Sequence, residues 1–154
     1  MNELTLSAWV NMNAQPFGPI LSKGALTPPG MYAFGINSNG RVYVHLNSVA
    51  NAAEAPFTFC PNQWYQITVV LEPTAAFFYV DGTLIGSQAF TTNIVFDSQD
   101  LEIGKSGSEY FNGQLDEVRL YNRALSACEV AAIFSPADDP IITAFAPNTG
   151  QVGT

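Results

Sequence analysis

Two dipeptides, Asn39-Gly40 and Asp81-Gly82, each stand between runs of apolar and β-branched residues. Asn-Gly and Asp-Gly are the strongest short signals for a tight hairpin, because both central positions of the favoured turn need a positive φ. The flanking runs predict two hairpins, Met31 to Asn37 with Arg41 to Asn47, and Ala75 to Val80 with Thr83 to Phe90. Further strand signals recur at short spacing. Leu4, Leu6, Ala8 and Val10 alternate along one face of a predicted first strand, and Ile20 to Lys23, Trp64 to Glu72, Leu101 to Gly104 and Gln114 to Tyr121 follow. Many short strands with turn signals between them are the pattern of an antiparallel sandwich or barrel, not of βαβ units. One stretch differs. Ser126-Ala127-Cys128-Glu129 has the form of a capping box, which predicts a short helix from Ala127 to Phe134 ended by Pro136.

The 154 residues suit one domain, and apolar residues are 47% of them, enough for a sizeable core. Charged residues are only 12%, with five bases against thirteen acids, giving a net charge of −8. So few bases cannot form a basic patch, which makes nucleic acid and anionic membrane surfaces poor partners, and no nucleic-acid partner is expected. No apolar run approaches the ~18 residues that cross a bilayer, so no membrane insertion is expected. Cys60 and Cys128 belong to no C-x-x-C unit, which argues against a zinc or redox site. One disulfide between them and two buried thiols remain open alternatives.

Three stretches together resemble the laminin-G-like, concanavalin A-like jelly-roll modules of large surface proteins. They are Leu4 to Val10, Trp64 to Val70 continuing through Phe78-Tyr79-Val80-Asp81-Gly82, and Phe111 to Ser126. The resemblance implies an all-β fold, a two-sheet antiparallel sandwich with one short C-terminal helix, over residues 1–135. Residues 136–140 then read as a linker, and residues 141–154 resemble the first strand of a TIG-type immunoglobulin-like module. Members of the jelly-roll family usually carry one or more strands before the equivalent of Leu4. The expectation is therefore that an N-terminal strand is missing, leaving an unpaired edge through which two copies form a homodimer. The resemblance also implies an extracellular or cell-surface setting, with the export signal outside this chain.

For function, the resemblance implies a non-catalytic binding or adhesion module for carbohydrate or protein, with Ca²⁺ as an aid to binding. The alternative is a structural spacer without a ligand. A glycoside hydrolase is the less favoured reading, since its Glu-x-Asp catalytic pattern does not occur in this sequence. Asp116 is the metal candidate, because an aspartate in a similar late strand of related jelly rolls helps hold Ca²⁺. Ca²⁺ needs six to eight oxygens, so one carboxylate requires further ligands. The competing reading gives Asp116 a strand-end hydrogen bond or an ion pair. Asp97, Asp100 and Glu102 form a second acidic cluster, in which Asp100 and Glu102 share a strand face.

The ligand-binding candidates are Arg41, Tyr43, His45 and Asn47. They alternate with Val42, Val44 and Leu46, which places a polar-aromatic strip on one face of a strand. Sugar-binding surfaces use such strips, with rings against the sugar's C–H faces and polar neighbours for its hydroxyls. Trp9 and Trp64, at the starts of their strands, are expected to pack in the core, as the resemblance implies. The alternative, from alternation against Leu6, Ala8 and Val10, turns Trp9 to the other face with Thr5 and Ser7.

Overall fold

In the computed structural model, residues 3–13, 17–24, 32–47, 49–91 and 98–135 are described. The expected linker at 136–140, the segment 141–154 and Asp97 lie outside them. The strands are β1 (Leu4–Met12), β2 (Gly18–Lys23), β3 (Tyr32–Ile36), β4 (Arg41–Leu46), β5 (Val49–Pro56), β6 (Trp64–Leu71), β7 (Ala75–Val80), β8 (Thr83–Ala89), β9 (Leu101–Ile103), β10 (Lys105–Ser106), β11 (Glu109–Tyr110) and β12 (Gly113–Tyr121). One helix, α1 (Ala127–Phe134), follows. One five-stranded sheet has the order β12-β1-β6-β7-β8 and a second has β5-β4-β3-β2-β9, while β10 and β11 form a small ribbon. Every pairing is antiparallel.

The period-2 pattern sorts side chains between an inner and an outer face of each sheet. Leu4, Leu6, Ala8, Val10, Ile67, Val69, Leu71, Ala76 and Phe78 point inward from the first sheet. Phe34, Ile36, Val42, Val44, Leu46, Ala53 and Ala55 meet them from the second. Apolar area removed from water in this layer is the main stabilising term, at roughly 25 cal/mol per Å².

The two hairpin signals resolve differently. Asp81 and Gly82 both have positive φ, 49° and 72°, and join Val80 to Thr83 as the expected two-residue turn. At the other, only Gly40 has a positive φ, 73°. There the Asn37 N–H donates to the Arg41 carbonyl and the Gly40 N–H to the Asn37 carbonyl, which closes a three-residue loop. The Asn37 Oδ1 accepts from the N–H groups of Asn39 and Arg41 and so competes with the shorter turn.

The first described strand is paired on both sides: β1 lies between β12 and β6. The end strands of the two sheets are β12, β8, β5 and β9. Cys60 and Cys128 are free and exposed, so they are neither bridged nor buried thiols. The tryptophans also depart from expectation. Trp64 is 40% exposed, and Trp9 faces outward, its ring 5.8 Å from that of Phe134 at the end of α1.

The helix begins as its sequence predicts. The Ser126 Oγ accepts from the Glu129 N–H, and the Glu129 carboxylate accepts from the Ser126 N–H. Its apolar face lies on the outside of the first sheet, where Val130 and Leu125 pack with Val70 and Tyr79 into a second, smaller core. Among the described residues no helix is long and apolar enough to cross a membrane.

Candidate functional site

A sandwich has two outer faces, and α1 takes one of them. The outer face of the second sheet is composed differently. Along β4, Tyr43 and His45 point outward while Val42, Val44 and Leu46 fill the core. The Tyr43 and His45 rings lie 4.3 Å apart between centroids, tilted by 33°. Opposite Tyr43 on β3 stands Gly35, whose missing side chain makes room for the phenol. A Cβ there would lie 3.0 Å from the Tyr43 hydroxyl and 2.4 Å from the Gly18 carbonyl oxygen.

A recess of about 180 Å³ opens over this pair, lined by Phe17, Asn37, Ser38, Tyr43, His45, Ala50 and Glu109. Glu109 reaches it because the β10–β11 ribbon lies close on β2. Gly18 permits that approach, since a Cβ at this position would meet the Phe111 Cα at 2.7 Å and the Tyr110 carbonyl at 2.8 Å. Gly18 also has a φ of 134°, a region that side chains rarely enter. The Gly104 carbonyl accepts from the Phe111 N–H, and the Asn112 N–H donates to Phe17, which ties the ribbon to the same corner.

Burial first, and then the charge of Glu109, push the Tyr43 hydroxyl's pKa up. Tyr43 therefore keeps a neutral O–H that can both donate and accept. The Glu109 carboxylate has no ion pair or hydrogen bond among the described residues. Arg41 is engaged elsewhere: its Nε lies 2.7 Å from the Glu54 Oε1, and the Asn37 Nδ2 donates to the other Glu54 oxygen at 3.0 Å. The Arg41 Nε–H is not aimed along a hydrogen bond, so the pair is held by charge and proximity. Of the four ligand candidates, Tyr43 and His45 line the recess and Arg41 and Asn47 do not. Asn47 closes the end of β4 in a left-handed conformation, φ 47°.

The acidic candidates have other surroundings. Asp116 is exposed on β12 opposite Trp9, where the β1–β12 register slips between Ser7 and Trp9. Its Oδ1 accepts from the Glu117 N–H at 2.7 Å, and Glu117 takes the positive φ of 49° that the bulge demands. This is a local hydrogen bond inside β12, at the bulge and not at a strand end. Asp100 and Glu102 do share a recess of about 190 Å³ with Gly24 and Gln99. However, Glu102 is paired with Lys105 at 2.6 Å, and the Lys23 ammonium bonds the Gln99 carbonyl at 2.5 Å. Among the described residues no three His, Cys, Asp or Glu side chains converge as a metal site. A larger hollow of about 560 Å³ runs between Asn39–Arg41 and Pro56–Thr58. It offers one aromatic ring, Phe57, which is already packed edge-on against Phe59 and Tyr65. Of these three recesses, the one over β4 brings together a tilted ring pair, a carboxylate without an ion pair or hydrogen bond among the described residues, and a neutral phenol.

Comparison with known proteins supports the architecture. A laminin-G family model described as the concanavalin A-like lectin/glucanases superfamily matches residues 1–131. Mouse usherin is 28% identical over 147 residues, which is 86% of this chain but only 3% of usherin. A heptameric SAP-like pentraxin from Limulus polyphemus superposes with a TM-score of 0.71 at 18% identity, over 87% of this chain and 70% of that one. The CBM40 of the Ruminococcus gnavus IT-sialidase, bound to α2,3-sialyllactose, superposes with a TM-score of 0.70 at 15% identity, over 87% and 83% of the two chains. At such identities the likeness to the solved structures is one of fold.

Proposed function

Because the chain belongs to the concanavalin A-like lectin/glucanases superfamily, we propose that it is a non-catalytic module, displayed outside the cell, that binds a carbohydrate in the recess over Tyr43 and His45. The observation that carries this reading is the tilted Tyr43–His45 pair beside the unpaired Glu109 carboxylate. The half-buried His45 ring suits the C–H surface of a pyranose, and a carboxylate and the hydroxyl of the more deeply set Tyr43 suit its hydroxyls. Phe17, 37% exposed at the margin, adds a further apolar contact. The recess is shallow, which fits a terminal sugar or a short stretch of chain better than a fully enclosed ligand. The sialyllactose complex of the CBM40 supports the reading, since its fold carries a sugar ligand.

A printed glycan array tests it, with the parent chain beside His45→Ala. His45 is at the surface of β4, so its truncation leaves the core side chains in place. Loss of one ring contact is expected to weaken binding by about three- to tenfold, the equivalent of an aromatic contact of about 0.5–1.5 kcal/mol. A parent chain that binds no glycan at millimolar sugar would instead make the domain a structural spacer.

A further inference from the structure

We infer that Glu109 makes this recess selective for neutral sugars and turns away glycans that carry a carboxylate or sulfate at the contacting residue. The inference rests on the recess being the sugar site and adds the chemical class of what enters it.

Three observations carry it. First, Glu109 lies in the recess wall with no partner among the described residues, so its charge is uncompensated there. It shares that wall with Tyr43, and its charge adds to the upward push that burial gives the phenol. Second, none of the described lining residues is Lys or Arg. Arg41, on the same face of β4, has its charge spent on Glu54 at 2.7 Å. Third, the chain as a whole carries −8, so the long-range field does not attract anions either.

Anion recognition by proteins depends on Arg forks, Lys or clusters of backbone N–H donors. A recess with a carboxylate and stacked rings offers the opposite: acceptors for hydroxyl groups, and apolar faces for C–H groups. The size of the effect follows from Coulomb's law. A unit anion about 4 Å from Glu109 is repelled by about 1 kcal/mol even at the dielectric constant of water, which is about a fivefold loss of affinity. Partial exclusion of water by the ligand would enlarge it. The fold likeness to a module that holds sialyllactose thus does not extend to ligand charge.

The test is an array of matched pairs, each a neutral oligosaccharide and its sialylated or sulfated counterpart, probed at pH 8 and low salt with the parent chain and Glu109→Gln. The parent is expected to bind neutral members at least fivefold more tightly than their acidic counterparts. Glu109→Gln should reduce that ratio to below twofold. Glu109 is an exposed residue of a two-residue strand, and unchanged circular dichroism of the variant verifies the fold. The same penalty in the parent should shrink as salt rises, because screening shortens the reach of an exposed charge. Preferential binding of acidic members, or a ratio that Glu109→Gln leaves untouched, overturns the inference while leaving the sugar site standing. Absence of binding to any member removes the sugar site itself.

Discussion

Gly35→Ala is the substitution on which the reading of the recess turns. Gly35 has no positive φ, so its backbone suits any residue and only space forbids a side chain. The space is short: an added Cβ would stand 2.4 Å from the Gly18 carbonyl oxygen, 2.9 Å from the Pro19 Cα and 3.0 Å from the Tyr43 hydroxyl. Two of these are backbone atoms of the neighbouring strand and cannot swing aside. Relief must come from parting β2 and β3 or from lifting the Tyr43 ring. Overpacking of this kind costs about 1–3 kcal/mol, and rigid backbone contacts place it at the upper end. Loss of glycine's freedom in the unfolded chain offsets about 0.4–1 kcal/mol. The clash wins by about 2 kcal/mol, which lowers Tm by about 4–8 °C for a chain of this size. Scanning calorimetry measures that shift, and the glycan array then reads the displaced ring as a loss of binding. Gly107→Ala is the control. An alanine there meets nothing within 4 Å and pays only for its φ of 60°, so it should lose stability without losing ligand. A Gly35→Ala chain that melts within about 2 °C of the parent and binds as well would refute the close fit of Gly35 under Tyr43.

Two further outcomes follow from polar contacts outside the recess. Bonds from Arg123, and then from Ser126, hold the Glu129 carboxyl at about 2, below its ordinary 4.5. A depressed folded-state pKa stabilises above the unfolded value and is lost as pH falls. The difference in Tm between the parent and Glu129→Gln should therefore be constant from pH 7 to about 5 and fade between about 4.5 and 2; a difference independent of pH would contradict the Arg123 pair. Asp116→Ala removes the acceptor that fixes the Glu117 amide in the β12 bulge, and should cost about 1 kcal/mol, a Tm drop of about 2–4 °C. The expected drop is the same with and without Ca²⁺, and one that appears only in Ca²⁺ would restore Asp116 as a metal ligand.

The parts of this fold that were legible in the sequence are those with a local physical signal. Leu4, Leu6, Ala8 and Val10 alternate and are all buried, and Ser126 with Glu129 marks the helix start that α1 shows. β5 was not legible, because its Ala53-Glu54-Ala55 centre has weak strand preference. Its pairing with β4, Tyr43 opposite Glu54 and Val44 opposite Ala53, makes it a strand. The recess divides in the same way. Tyr43 and His45 could be found because they share a face within one strand. Phe17 and Glu109 could not, since each reaches the recess through the contact of the β10–β11 ribbon with Gly18, which no neighbouring residue announces. Trp9 misled for a related reason. Core packing was expected of it, whereas the structure follows the alternation and turns it outward, where the ring beside it, Phe134, arrives from the far end of the domain.

The asymmetry between the two outer faces explains why a ligand site would lie on the second sheet. On the first sheet the outward polar residues Thr5, Ser7, Gln66 and Thr68 are all buried, and each has a partner. Thr5 donates to the Arg123 carbonyl and accepts from the Leu125 N–H, Ser7 and Thr68 bond each other, and the Gln66 Nε2 donates to the Ile133 carbonyl. That face is covered by α1 and the segment leading to it, and the Gln66 Oε1 is the buried oxygen there that no hydrogen bond reaches among the described residues. On the second sheet the ribbon covers only the β2 side, where the Ser22 hydroxyl is satisfied by the Lys105 carbonyl at 2.7 Å. Further across, Tyr43 and His45 on β4 line a recess together with the Glu109 carboxylate. Buried polar groups on an outer sheet face must be paired, whereas groups at an open recess are paired by water until a ligand replaces it. The helix thus does for one face, by covalent connection, what a bound sugar would do for the other.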